Sequence, residues 1–433
     1  MFDLLPVLPG AFRLYRAAQS WDRPRLEAYQ DDMLRRLVRH AGRKVPYYRE
    51  LFARIGLDPE SFRGRADMPR LPLLDKDTVR TRAKDLIAED AARYGVVWES
   101  TSGSTGTPLH VIVDRGARGH KLAALIQCYR WAGYRLGMKT FSLQSYYLKD
   151  GPCQVVPLSR VLRYDSVQFK PETAAEAARA LRRYRPRFVM GFPFDLLMFA
   201  RWAAQAGLPL PAPVGIVTYG ETLSDHKRHA LQEAWGAPVF NYYSQHECAS
   251  MIAECPGHSL HTIDSFAYHE LVDASGAVME GGGRGELVGT GLYNYAMPLI
   301  RYRSRDDVVV DPGPASRCSC GRPYGVVREI LGKQCDYLET PDGRLLGAVM
   351  SHSIDRGRGV VTSQCVQDAV DHLYVNLVVD ASFTGESQQA LERDLRKRLG
   401  GEMRVDFRLV TELEKRPGGK TPFILSKIGR EYR

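Results

Sequence analysis

A chain of 433 residues, 44% hydrophobic and 25% charged, has the composition of a globular protein and the length of a large domain plus a smaller one. No apolar run approaches the ~18 residues that span a bilayer, and no basic segment precedes the short apolar stretch after Asp3, which argues against a signal peptide and for a cytoplasmic protein. The formal charge of +10 is scattered over amphipathic segments with no basic block interleaved with aromatics, which excludes neither ATP nor other polyanionic small molecules but gives no reason to expect nucleic acid or membrane as a partner.

Residues 11 to 56 read as helices, with Leu34, Leu37, Val38 and Ala41 at helical spacing and Tyr47-Tyr48 entering a second helix after Pro46. Asp75, with Thr78 and Val79 behind it, starts another. Glu99 to Val113 reads ESTSGSTGTPLHVIV. Gly103 and Gly106 let the backbone turn N–H groups onto an anion, and the hydroxyls of Thr101, Ser102, Ser104, Thr105 and Thr107 add donors for phosphate oxygens. The helix-linked GxxxxGK[ST] loop is absent and a β-branched strand follows.

Next come a helix (117–133), a strand (141–148), a helix (172–184) and a strand (188–191) leading to Phe192-Pro193-Phe194. A helix (196–206), a strand (213–218), a helix (224–235) and a strand (239–243) repeat the unit. Such alternation is that of an α/β sheet, whose ligands sit at the carboxyl ends of strands, where Tyr219, Gly220 and Glu221 fall. Gly-rich hairpins fill 270 to 305. A strand (372–379), a helix (387–399) and a strand (404–410) form a small α+β unit near the end.

Eight cysteines in a chain without a secretory signal do not suggest a disulfide framework. Cys318 and Cys320 form a thiolate pair on a turn, and Cys255 precedes His261 at short range. Three thiols and an imidazole are a common zinc set, and four protein ligands imply a structural ion. His258 and Cys248 are the alternative nitrogen and sulfur. Nothing in the sequence decides between a monomer and a homodimer.

The segment Thr101–Pro108, TSGSTGTP, resembles the ATP-phosphate loop of the adenylate-forming acyl ligases. RLVRHAGRKVPYYRELF and LPLLDKDTVR resemble the N-terminal part of the phenylacetate–CoA ligase-like (CapK-like) branch, and MPLIRYRSRD (297–306) is similar to that branch's MPLIRYRTRD. The likeness runs over nearly the whole chain. It implies an α/β fold: a large N-terminal domain (1–332) of layered α/β sheets plus a β-rich part, and a small mobile α+β C-terminal domain (333–433).

It also implies roles. In YYSQHE, Tyr243 and Glu247 match the family's YGxTE-like text, while Ser244 stands for Gly and His246 for Thr. Tyr242, Tyr243, Ser244, Gly220 and Glu221 would line the nucleotide, Glu247 would approach Mg²⁺, and Asp306 would take both ribose hydroxyls, with Asp307 beside it. GKQCD resembles the GRxxD hinge, with Lys333 in place of Arg and Asp336 as the pivot. Lys420 would reach the α-phosphate and the substrate carboxylate. By their own place at strand ends, Tyr146, Tyr147, Phe192, Phe194 and Gly220 either wall a pocket for an aryl or arylacetate-type acid or belong to the core. The implied activity is ATP-dependent acyl-adenylate formation followed by transfer to coenzyme A. The alternative acceptor is an amine or hydroxyl in natural-product or polysaccharide biosynthesis.

Overall fold

The computed structural model describes residues 2–101, 109–144, 148, 151–165, 171–312, 318–333, 338–341, 345–346, 354, 357–415 and 421–428. The chain divides into two compact units, Met1–Trp131 with Tyr242–Ile330 and Ala132–Asn241 with Leu331–Arg433.

The first unit opens with α1 (Leu8–Ala18), α2 (Arg23–Lys44) and α3 (Pro46–Arg54). Asp22 caps α2 by accepting the Arg25 N–H at 2.9 Å. Leu26, Leu34, Leu37, Val38 and Ala41 form its buried stripe. A further helix, α4 (Lys76–Thr81), starts where Asp75 accepts from the Thr78 N–H at 2.6 Å, as its sequence implied. Strands β1 (Val97–Thr101) and β2 (Leu109–Val113) pair antiparallel with Thr101 opposite Leu109, so residues 102–108 join two strand ends held side by side. Helix α5 (Arg115–Trp131) follows.

The chain then builds the second unit through β3 (Thr140–Gln144), β4 (Cys153–Val156), β5 (Val161–Asp165), α6 (Pro171–Tyr184), β6 (Phe188–Gly191), α7 (Pro193–Gln205), β7 (Ile216–Tyr219) and α8 (Asp225–Trp235). Its strands lie in the order β7-β6-β3-β5-β4, with β4 antiparallel to β5 and the other pairs parallel. Helix α7 begins three residues earlier than expected because Pro193 suits a first helical turn, where no backbone N–H is needed. Phe141, Leu143, Tyr164, Phe199 and Trp235 form the core between sheet and helices.

Strand β8 (Val239–Ser244) carries the chain back to the first unit, which continues with β9 (Met251–Glu254), β10 (Leu260–Thr262), β11 (Ala267–Val272), β12 (Gly283–Gly291), β13 (Tyr302–Val310), β14 (Val326–Val327) and β15 (Glu329–Lys333). The ladder between β12 and β13 is irregular. Glu286 faces Asp307 and Val288 faces Arg303, so one residue of β12 opposes Ser304, Arg305 and Asp306. Side chains satisfy the freed groups: the Asp306 N–H donates to Ser304 Oγ at 2.9 Å and the Arg305 N–H to Glu286 Oε1 at 2.8 Å. Arg305 has a left-handed φ of 59°, and the strand bends there.

Beyond it lie β16 (Leu338–Glu339), β17 (Leu345–Leu346), β18 (Val360–Ala369), β19 (His372–Val379), α9 (Gly385–Leu399), β20 (Arg404–Leu409) and β21 (Ile424–Ser426). The sheet order β20-β19-β18-β21 and a core of Leu373, Val375, Leu377, Leu391, Leu395 and Ile424 make this a small α+β body. Val378 and Leu413 join the core built on β3 and α7, which is why contacts group this part of the chain with 132–241.

Candidate active site

Within the first unit, the end of β8 and the start of β13 give each of the two expected carboxylates a phenol partner, and the two pairs lie close enough to influence each other electrostatically. Asp306 is buried, and its Oδ2 accepts the Tyr243 hydroxyl at 2.6 Å; Gln245 Nε2 donates to that same hydroxyl oxygen at 2.7 Å. Glu247, also buried, accepts the Tyr302 hydroxyl on Oε1 at 2.9 Å. Burial, reinforced by the charge of Asp306, holds the Tyr243 hydroxyl well above its ordinary range. Burial and the charge of Glu247 do the same for Tyr302. Both phenols therefore stay protonated donors, and each carboxylate keeps acceptor capacity for a ligand.

Asp307 has a different fate. Its Oδ2 accepts from Arg284 Nε at 3.3 Å and from an Arg284 terminal nitrogen at 3.2 Å, on the other side of the bulge. The adjacent aspartates are thus distinguished by geometry, and Asp306 is the one paired with Tyr243.

Strand β1, which leads into 102–108, comes beside the turn after β8. Glu99, two residues before Thr101 on β1, is 3.6 Å from His246 Nδ1, and Lys121 of α5 donates to the Gln245 carbonyl at 2.9 Å. The Glu99 carboxyl is held below its ordinary range chiefly by His246. Gly289 and Gly291 let β12 run against the backbone just after Glu247. A Cβ at Gly291 would lie 2.4 Å from the Cys248 carbonyl oxygen, and one at Gly289 2.2 Å from that of Ala249.

Sequence reasoning missed Asp114. Its Oδ1 caps α5 by accepting the Ala117 N–H at 2.7 Å, and its Oδ2 accepts the Tyr295 N–H at 2.7 Å and the Ala296 N–H at 3.2 Å. Asn294 completes the link, donating to the carbonyls of Ile112 at 2.9 Å and Met297 at 3.0 Å. The hairpin is thereby fixed to the segment that leads into Asp306. The cap was legible from an Asp three residues before a helical Ala; the partner ~180 residues away was not.

In the second unit, β7 ends at Tyr219 and Gly220 turns the chain with a φ of 78°, open to glycine at no steric cost. Glu221, expected at the nucleotide, has both oxygens engaged by backbone: Oε2 accepts the Phe194 N–H at 3.3 Å and Oε1 the Thr421 N–H at 2.5 Å. Phe194, expected as a pocket wall, is instead a member of the core, because α7 starts at Pro193 and turns that side chain inward. Phe192 is buried edge-on against Tyr219 at 5.8 Å, and Tyr219 donates to Gln144 Oε1 at 2.9 Å. Tyr242, in the first unit, is buried edge-on against Tyr129 at 5.9 Å. Ser244 ends β8 and Lys333 ends β15. Ser102, Gly103, Ser104, Thr105, Gly106, Thr107, Tyr146, Tyr147, Asp336 and Lys420 lie outside the described residues, as does the side chain of Thr101.

The expected metal set comes together. One ligand atom from each of Cys255, His261, Cys318 and Cys320 lies within 4.8 Å of the others. Cys255 Sγ is 3.6 Å from Cys318 Sγ, and Cys320 Sγ is 3.3 Å from His261 Nε2. Ligands ~2.3 Å from a tetrahedral ion have edges of about 3.8 Å, so the cluster fits a zinc ion after small shifts. Burial raises the Cys318 thiol, but hydrogen bonds from Ser259, the Cys320 N–H and His261 outweigh it and bring it down to about 6. The alternatives are engaged elsewhere: His258 Nδ1 sits 2.7 Å from Glu254 Oε1, and Cys248 Sγ donates to the His246 carbonyl at 3.5 Å.

Residues 338–427 match the family of the CapK C-terminal domain. The chain is 24% identical over 381 residues to protein CapK of Staphylococcus aureus, covering 84% of this chain and 81% of that one. It is 27% identical over 332 residues to a phenylacetate–coenzyme A ligase of Thermus thermophilus, covering 74% and 73%. Among solved structures, a 2-hydroxyisobutyryl-CoA ligase holding an acyl-AMP superposes with a TM-score of 0.75 at 17% identity, over 95% of this chain and 91% of that one. With an α+β C-terminal body in place, the chain thus shares the fold of the solved acyl-CoA ligase and is similar in sequence to CapK and the phenylacetate–CoA ligases.

Proposed function

We propose that the protein is an ATP-dependent acid–thiol ligase that forms AMP. The observation that carries this reading is the placing of two carboxylate–phenol pairs, Asp306–Tyr243 and Glu247–Tyr302, in the same unit as the β1–β2 strand pair that flanks 102–108, with Glu99 of β1 beside His246. In this reading Asp306 binds the ribose, Glu247 the metal, and the hydroxyls and N–H groups of the segment between β1 and β2 the phosphates. The relatives' names support an acid and coenzyme A as substrates.

In the first half-reaction an oxygen of the substrate carboxylate attacks the α-phosphorus, and pyrophosphate leaves with the electron pair of the broken P–O bond. The thiolate of coenzyme A then attacks the acyl carbon and AMP departs. Residues 101–107 bind the phosphates, Asp306 orients the ribose, and Lys420 offsets charge at the α-phosphate. Glu247 would hold Mg²⁺, which when bound neutralises phosphate charge. Cys255, His261, Cys318 and Cys320 hold a structural zinc, whose four protein ligands leave no open position for chemistry. An aryl or arylacetate-type acid is the favoured substrate, and the cytoplasm, where ATP and coenzyme A meet, the place of action.

The test is pyrophosphate release with ATP, Mg²⁺ and a panel of carboxylic acids, followed by mass spectrometry of products formed with coenzyme A or an amine. Acid-dependent pyrophosphate and an acyl-CoA are expected. Pyrophosphate with an amide or ester but no acyl-CoA overturns the thiol assignment in favour of the other acceptor. Release with no acid in the panel overturns adenylation.

A further inference from the structure

Residues 416–420, which carry Lys420, are flanked by a stem tied together at two levels. The inner tie is Gln364, fully buried in β18. Its Nε2 donates to the carbonyls of Glu414 at 2.8 Å and Pro422 at 3.0 Å, and its Oε1 accepts the Glu414 N–H at 3.0 Å. One amide thus closes the stem from both sides, and the separation of its ends is set by the sheet.

The outer tie docks the stem on the body formed by β7 and α7. Lys415, the last residue before 416–420, places Nζ 3.1 Å from Asp195 Oδ1. Thr421, the first after it, donates its N–H to Glu221 Oε1 at 2.5 Å. Glu221 uses its other oxygen on the Phe194 N–H, so the same carboxylate joins the start of α7 to the stem. Asp195, on the next residue of that helix, has 0% exposed side chain, and Lys415 has 25%. A desolvated carboxylate is costly unless it is paired, and these two are paired here with the flanks of a single five-residue segment.

We propose that Asp195 and Glu221 are positioning residues: a carboxylate clasp that grips Lys415 and Thr421 and so fixes Lys420 for adenylate formation. The inference rests on Lys420 serving the first half-reaction. Charged groups suit a contact that must also open. A separated apolar surface would resist exposure, whereas carboxylates and an ammonium regain water and oppose departure weakly. The clasp therefore speeds adenylation without obstructing the thiol step.

Glutamine at 221 accepts one of the two N–H groups but turns an NH₂ toward the other, and asparagine at 195 removes the charge facing Lys415. The experiment compares Glu221→Gln, Asp195→Asn and Lys415→Met with Lys420→Ala in two assays near pH 8. One is pyrophosphate release with phenylacetate or the acid selected by the panel. The other is acyl transfer to coenzyme A from the pre-formed adenylate. The three clasp variants are expected to lose roughly 10- to 100-fold in the first assay and to remain within about twofold of wild type in the second. Asp195→Asn and Lys415→Met should be non-additive when combined.

A second readout needs no acid. Trypsin should cut the Lys420–Thr421 bond several-fold faster in the clasp variants, because each loosens one flank of the segment, Glu221→Gln at Thr421 and the other two at Lys415. Equal losses in both half-reactions, or wild-type rates and wild-type cleavage in all three variants while Lys420→Ala is crippled, overturn the clasp alone. Lys420→Ala with an intact first half-reaction overturns the role of Lys420 and the clasp with it.

Discussion

The Tyr243 hydroxyl donates to Asp306 Oδ2 at 2.6 Å, and among the described residues no donor reaches Oδ1 of that carboxylate. The neighbouring Asp307 faces Arg284 instead. Asp306→Ala should therefore lower kcat/KM for ATP by ~10- to 100-fold, the loss of hydrogen bonds to a charged acceptor. Asp307→Ala removes a pair with a half-exposed arginine and should cost at most about 1 kcal/mol of stability with little effect on ATP. Equal damage to ATP use in both variants would refute the ribose assignment.

Tyr302→Phe tests the second pair. Removing the hydroxyl that donates to Glu247 leaves a buried carboxylate less well held. The Mg²⁺ concentration needed for half-maximal rate should rise several-fold, with KM for the acid unchanged. A change in acid KM alone would speak against a metal role for Glu247.

The thiolate cluster should copurify with about one zinc per chain, measurable by elemental analysis. The double variant Cys318→Ser, Cys320→Ser should lose that metal and unfold at lower temperature, with catalysis at low temperature largely retained. Full metal retention in the double variant would dismiss the site.

Gly291→Ala places a methyl where only 2.4 Å separates it from the Cys248 carbonyl, and the contact is backbone on backbone. Overpacking of this kind costs about 1–3 kcal/mol, so the melting temperature should fall. Gly281, with nothing within 4 Å of its Cβ position, is the control: Gly281→Ala should melt like wild type.

Glu221 gives a pH signature. Burial pushes its carboxyl up to about 7, helped by the charge of Asp195, while the Thr421 N–H, Lys227 and the Phe194 N–H pull the other way. The folded state thus binds this proton more tightly than the unfolded chain, whose ordinary value is 4.5. Its contribution to stability is complete below the unfolded value and is lost as pH rises through the folded one. Melting temperatures between pH ~5 and ~8 should fall more steeply for wild type than for Glu221→Gln; parallel curves would show that Glu221 titrates normally.

Much of the site was legible because its motifs are local. YYSQHE and RYRSRD each sit on one strand end, and the donor types Cys, Cys, Cys and His leave few assignments for a metal. What escaped reading depends on partners far along the chain. Asp114 reaches Tyr295, and Gln364 reaches both Glu414 and Pro422. Phe194 was misread for a different reason: an aromatic after a strand serves wall or core equally well until the helix start is known, and α7 begins at Pro193.

The bulge at Ser304–Asp306 has a consequence for how the strand tolerates change. Side chains alternate between faces, so the count of residues before Asp306 decides which aspartate meets Tyr243. Deleting Arg305 would move the chain one place in phase, offering Asp307 to the tyrosine and leaving Arg284 facing whatever follows. A one-residue insertion or deletion before Asp306 therefore changes which side chain meets Tyr243, whereas point changes at the half-buried Arg303 or Arg305 leave the phase intact.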